Sequence, residues 1–80
     1  MIMKENPRLK QMILKVVDNQ LKANNPPVTR KTLQRLTKKY DEKTAKEMIA
    51  SVLVEEIYYI LKNKRVFNEK RYAEKLNNLK

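Results

Sequence analysis

The stretch that decides the fold is AKEMIASVLVEEIYYIL, residues 45–61. Apolar side chains recur along it three and four residues apart, which is the spacing of one face of an α-helix. A second apolar set continues the surface round the helix and leaves only a narrow polar strip. A helix that is apolar over most of its circumference is buried by more than one partner. The sequence therefore predicts an all-α fold, a compact bundle of about four helices packed around this long third helix.

Capping residues bound the third helix and the one that follows it. Asp41 is the predicted N-cap of the third helix, because its short acceptor side chain can bond to free amides of the first turn. This helix is expected to end near Asn63. Asn68 is the predicted cap of the last helix. Phe67, just before this cap, is positioned to pack on Tyr72 as a hydrophobic staple.

Asparagine and proline bound the first two helices. Asn6-Pro7 opens helix one with a cap and a proline at the first helical position. Asn24-Asn25 ends it, since asparagine tolerates the left-handed backbone of a helix end. The double proline Pro26-Pro27 then starts helix two, with Asn25 as its cap. We expect helix two to run to about Tyr40.

Length and composition limit the chain to one small domain without metal or redox chemistry. Its 80 residues form a single predicted domain, with residues 1–5 expected to be disordered. There is no Cys, His, Trp or Gly, so no thiolate or imidazole can bind a metal and no Gly-rich loop can cradle phosphates. We expect no cofactor and no metal. No apolar run has the length of a signal peptide or membrane span, and a cytoplasmic location is expected.

Several short motifs are similar to those of a known family. They are Asn25-Pro26-Pro27-x-Thr29-Arg30, Leu33-x-Arg35-Leu36, Ala45-Lys46-x-x-Ile49, Glu56-Ile57 and Phe67-Asn68-Glu69-x-Arg71-Tyr72. Together they resemble a small prokaryotic family of all-helical proteins of uncharacterised function, from Asn6 to Leu79. The family pattern has Gly where this chain has Lys39, so the end of helix two is expected to differ. The resemblance implies the helical fold and no activity.

Positive charge is concentrated in the first half of the chain. The formal net charge is +10, and nine basic residues face one acidic residue between Asn6 and Tyr40. Nucleic acids bind such positively charged surfaces, because each phosphate that a Lys or Arg neutralises releases counterions. The alternative is a solvated face, since lysine outnumbers arginine fourteen to five. The candidate nucleic-acid-binding residues are Arg30, Lys31, Arg35, Lys38 and Lys39 on helix two and Arg8, Lys15 and Lys22 on helix one.

Glu56 lies near the centre of the apolar stripe of the third helix. A carboxylate there must be paired, hydrogen-bonded or protonated, since a lone buried charge costs several kcal/mol. Arg30 or Arg35 of helix two is the expected partner in a buried ion pair. The functional alternative is a tuned acid or base, or half of a metal site with Glu55. Because Glu55 points to another face and no His or Cys is present, structural pairing is favoured over catalysis.

The second apolar side of the third helix is a candidate self-association surface, represented by Val54, Tyr58 and Leu61. Either the other helices cover it, or it forms the seam of a homodimer, the commonest soluble assembly. The sequence therefore predicts a non-enzymatic protein-interaction module that binds an unknown protein partner or itself. The runner-up is weak, sequence-non-specific nucleic-acid binding through the basic faces of helices one and two. An enzyme built around Glu56 is the third class.

Overall fold

Four α-helices account for most of residues 7–80, the part of the chain that this computed structural model describes. They are α1 (Pro7–Ala23), α2 (Pro27–Leu36), α3 (Glu42–Asn63) and α4 (Glu69–Asn77). The predicted all-α class is confirmed. The predictions of a disordered segment 1–5 and of a cap at Asn6 lie outside the described residues. Within the described range, none of the helices combines the length and apolarity needed to cross a bilayer.

The long helix α3 occupies the predicted central place and packs against each of the other three helices. It supplies more of the core than any other helix, because its apolar positions cover several sides. Helix α1 packs along it, and α4 folds back over its second half after a short loop. The buried apolar residues are Ile13, Val17, Leu36, Ala45, Ile49, Ala50, Val52, Leu53, Tyr72 and Leu76.

The caps predicted for α3 and α4 are confirmed. Asp41 Oδ1 accepts a hydrogen bond from the backbone amide of Thr44 at 3.1 Å. Hydrogen bonding by the side chain of Thr44, and then by its amide, lowers the pKa of Asp41. Asn68 Oδ1 likewise accepts from the amide of Arg71 at 3.1 Å. The predicted staple is present too, with the rings of Phe67 and Tyr72 5.5 Å apart between centroids. These ends formed as expected because capping depends on neighbours in the sequence.

Helix α2 differs from its prediction at both ends. It begins at Pro27, so its N-cap position is Pro26, which has no side-chain acceptor, and Asn25 does not cap it. It ends at Leu36 rather than near Tyr40. The hydroxyl of Thr37 donates to Gln34 O at 3.1 Å, a local bond that competes with the regular helical ladder. By contrast, the left-handed end of α1 is confirmed at Asn24, where φ is 50°.

A polar junction joins α1, α2 and α4 beside the apolar core. Gln20 Oε1 accepts hydrogen bonds from the hydroxyl of Thr29 at 2.8 Å and from that of Tyr72 at 3.1 Å. Burial raises the pKa of Tyr72, although its hydrogen bonds with Thr29 and Gln20 act to lower it. The junction fixes the start of α4 against the first two helices.

Candidate functional site

Glu56 is buried in the interface between α3 and α4, with 1% of its surface exposed. The Arg71 Nε donates to both carboxylate oxygens, at 2.8 and 3.2 Å. Lys75 Nζ lies 3.2 Å from Oε2 of the same carboxylate and 3.6 Å from Oε2 of Glu55. Two cations one turn apart on α4 therefore hold the buried carboxylate, and the expectation of a buried ion pair at Glu56 is confirmed.

The partner predicted for Glu56 was wrong. Arg30 donates instead to the backbone carbonyl of Leu21 near the end of α1. Arg35 donates to the carbonyls of Leu79 at 2.6 Å and Leu76 at 2.9 Å. Leu21 O also accepts from the amide of Asn24 at 3.2 Å and Leu76 O from that of Leu79 at 3.1 Å, so each arginine adds a second donor to a carbonyl near a helix end. Arg71 replaces them because α4, rather than α2, covers the side of α3 on which Glu56 lies.

The electrostatic surroundings keep Glu56 charged. Burial is the largest single influence and acts to raise its pKa, but the hydrogen bonds and positive charges of Arg71 and Lys75 together outweigh it. The pKa of Glu56 therefore lies below its ordinary value of 4.5. In turn, the Glu56 carboxylate raises the pKa of Arg71. A carboxylate held ionised by two cations is suited to structural pairing rather than to proton transfer near neutral pH.

Metal binding finds no support in the side chains that are described. No group of three or more His, Cys, Asp or Glu side chains between residues 7 and 80 lies close enough to hold an ion. The adjacent carboxylates Glu55 and Glu56 contact one ammonium, that of Lys75, although their side chains leave α3 on different faces.

An apolar groove runs between α1 and α3 on the surface. It encloses about 150 Å³. All three residues of the candidate self-association surface line it: Leu61 is 70% exposed, Tyr58 is 45% exposed, and Val54 is half-buried. Helices α2 and α4 lie elsewhere on α3 and contribute no side chain to it. The apolar groove consists of Leu9, Ile13, Val54, Ile57, Tyr58 and Leu61.

The predicted basic residues of helices one and two are exposed, but they are used differently, and Lys38 and Lys39 lie in the turn beyond the end of α2 rather than on it. Arg30 and Arg35 bond to backbone carbonyls, as described above. The remaining candidates form no ion pair within residues 7–80; they are Lys31, Lys38, Lys39, Arg8, Lys15 and Lys22. Beside Arg30 and Lys22 lies an open depression of about 660 Å³ that also contains Asp18, Glu42 and Lys46. Its mixed charges weaken its attraction for an anion.

A second basic region, at the loop between α3 and α4, was missed by the sequence reasoning. A cavity of about 430 Å³ opens there, which we call the loop cavity. The signal that could have found it is the alternation of aromatic and basic residues from Tyr59 to Arg71, which spans two helices and their connection. The residues that line the loop cavity include Tyr59, Arg65, Val66, Phe67, Glu69 and Arg71.

Comparison with known proteins identifies no protein whose role could be transferred to this chain. No protein-family model, curated protein or solved structure matches it. The resemblance to a small prokaryotic helical family stays a prediction.

Proposed function

We propose that this chain is a non-enzymatic interaction module that self-associates, with the apolar groove of one copy packed on that of a second. The observation that carries the proposal is the exposure of two large side chains of the central helix, Leu61 and Tyr58, at one apolar groove. Large apolar side chains gathered at one groove mark interaction surfaces more often than scattered ones do. Tyrosine is also among the residues that dominate interface energies. A cytoplasmic location, expected from the cysteine-free sequence, belongs to the same proposal.

Local charge favours a second copy as the occupant. Glu47 lies on the same face of α3 as Val54 and Tyr58, two and three helical turns away. It forms an ion pair with Lys10, which neighbours Leu9 on α1. This ion pair places both signs beside the groove, so two copies related by a two-fold axis can bring opposite charges together there. The unpaired cations of α2 lie on other surfaces, which limits repulsion between two copies that each carry +10.

Sedimentation equilibrium tests the proposal at about 50 and about 200 mM salt, a range over which phosphate contacts weaken strongly. We expect the wild type to form a dimer whose affinity is unchanged or higher at the higher salt, because salt screens the repulsion between the copies. Tyr58→Glu should be monomeric. Val66→Glu is the matched control, since Val66 is an exposed apolar residue outside the groove.

Two outcomes would contradict self-association through the groove. One is a wild type that is monomeric at every concentration tested. The other is a dimer that Tyr58→Glu and Val66→Glu weaken equally, which would place the contact elsewhere.

A second candidate function is non-specific nucleic-acid binding by the basic faces of α1 and α2. It is favoured by Lys31, Lys38 and Lys39, which are exposed and unpaired within the described chain. The double variant Lys31→Glu/Lys38→Glu leaves the carbonyl bonds of Arg30 and Arg35 intact. If these faces bind duplex DNA, the variant weakens binding and flattens its salt dependence. Unchanged duplex affinity would exclude α2 as the site.

A further inference from the structure

The loop cavity combines two partly exposed aromatic rings with a free guanidinium. Phe67 is 45% exposed and Tyr59 is 39% exposed. Arg65 is exposed, and its side chain has no ion-pair or hydrogen-bond partner among residues 7–80. A volume of about 430 Å³ is within the range of small-ligand sites, which run from about 300 to 1,000 Å³.

Unpaired positive charge surrounds this cavity, although the second half of the chain is nearly neutral in sequence. The acidic residues nearest in sequence on α3, Glu55 and Glu56, are neutralised by Arg71 and Lys75 of α4. Only Glu69 offsets the cations at the loop itself. The exposed basic residues left without an ion pair in this described segment are Lys62, Lys64, Arg65 and Lys70.

Both rings are held in place before any ligand binds. The Arg71 guanidinium carbon lies 3.5 Å from the centroid of the Tyr59 ring, and Glu56 holds Arg71 by its Nε. The ring of Phe67 packs on Tyr72 at an interplanar angle of 59°. A ligand that stacks here therefore meets fixed rings, so little conformational entropy is lost on binding.

We propose that the loop cavity binds single-stranded nucleic acid, with a base stacked on Phe67 and a backbone phosphate on Arg65. Aromatic rings interleaved with cations bind single strands without sequence preference, because every base has a face that can stack. In a double helix the faces of the bases are covered by their neighbours, except at the ends. The site is therefore expected to bind single strands more tightly than double-stranded nucleic acid. Arginine suits the phosphate because its planar fork donates two parallel hydrogen bonds.

The proposal names a site that is separate from the apolar groove and from the basic faces of α1 and α2. An acidic peptide shares only the negative charge of this ligand and provides no planar base for Phe67. The exposed ring of Phe67 therefore favours a nucleic acid over a polyanion in general. Poly-glutamate serves as the probe for the charge-only alternative.

A tryptophan reporter tests the stacking directly. The chain has no Trp, so Phe67→Trp introduces a single reporter, and Leu61→Trp places the matched reporter in the apolar groove. We expect oligouridylate to quench the fluorescence of Trp in the Phe67→Trp protein and to leave that in the Leu61→Trp protein unchanged. Quenching by poly-glutamate to the same extent, or equal quenching in both proteins, would overturn the proposal.

Affinity measurements on substituted loops give the independent check. In about 50 mM salt, Phe67→Ala should weaken oligouridylate binding roughly 5- to 150-fold, the range for loss of one stacked ring. Arg65→Gln should reduce the slope of log affinity against log salt concentration by about one, because one phosphate contact is lost. Met12→Ala is the control, with unchanged affinity, because Met12 is an exposed apolar residue on α1 outside the loop cavity.

The variants separate stacking from a folding defect. Phe67→Tyr keeps a ring on Tyr72 and should bind like the wild type, and Arg65→Gln changes an exposed side chain only. Circular dichroism melting of each variant confirms that it is folded. Equal affinity of Phe67→Ala and the wild type, or no binding of oligouridylate in about 50 mM salt, would refute the site.

Discussion

Helix α3 has a glutamate inside the protein and a leucine outside it. Glu56 is 1% exposed and Leu61 is 70% exposed, although they lie little more than one helical turn apart. Hydropathy alone would place them the other way round. The difference comes from the neighbours: α4 brings Arg71 and Lys75 onto Glu56, whereas no helix of the described chain covers Leu61.

The comparison shows that the two sides of α3 have different surroundings. The side facing α4 contains a charge that is stable only when α4 docks with Arg71 and Lys75 in place. Removing one partner of such a buried pair is strongly destabilising, because the remaining charge is left without compensation. The side facing away from α4 leaves Leu61 and Tyr58 exposed, and we propose that it contacts a second copy of the chain.

The largest expected effect comes from removing the buried carboxylate. Glu56→Ala leaves Arg71 and Lys75 without their partner and should lower the free energy of unfolding by about 3 kcal/mol or more. Glu55→Ala removes an exposed carboxylate and should cost less than about 1 kcal/mol. Thermal melting separates them, because each kcal/mol shifts the Tm of a domain this small by about 4–8 °C. Equal melting temperatures would contradict the assignment of Glu56 as the structural charge.

Acid should reveal the same carboxylate through a smaller, pH-dependent effect. Because its pKa in the folded protein is below 4.5, ionised Glu56 stabilises the fold above that pH, and the stabilisation is lost as the pH falls through the lowered pKa. Glu56→Gln cannot titrate. The gap in unfolding free energy between wild type and variant should therefore shrink on acidification, as measured by urea unfolding. A gap that stays constant with pH would show that Glu56 is not held ionised.

The smallest effect is expected on the other side of the helix. Leu61→Ser should change the unfolding free energy of the monomer by no more than about 0.5 kcal/mol, because its side chain is already in water. The measurement needs dilute protein, since association stabilises the folded state as concentration rises. A loss comparable to that of Glu56→Ala would mean that Leu61 is covered within the monomer.

The features that the sequence predicted well depend on local chemistry or on helical periodicity. The caps at Asp41 and Asn68 formed because their partners are three residues away. The central place of α3 followed from its apolar circumference. Burial of Glu56 followed from its position within the apolar stripe.

The features that were missed depend on how helices face one another. The partner of Glu56 is Arg71, and only the rotation of α4 about its own axis decides this. Helix α2 ends early where the hydroxyl of Thr37 donates to the carbonyl of Gln34, an option that periodicity does not reveal. The sequence does not predict the loop cavity, because Tyr59 and Arg71 come together only when α3 and α4 fold back on each other.

The measurement that tests the central claim most directly is a concentration series of amide NMR spectra on the wild-type protein, from micromolar to millimolar. Self-association through the outer side of α3 predicts chemical-shift changes concentrated at Leu9, Ile13, Val54, Tyr58 and Leu61. Spectra that do not change with concentration, or changes confined to α2 or to the loop between α3 and α4, would contradict it.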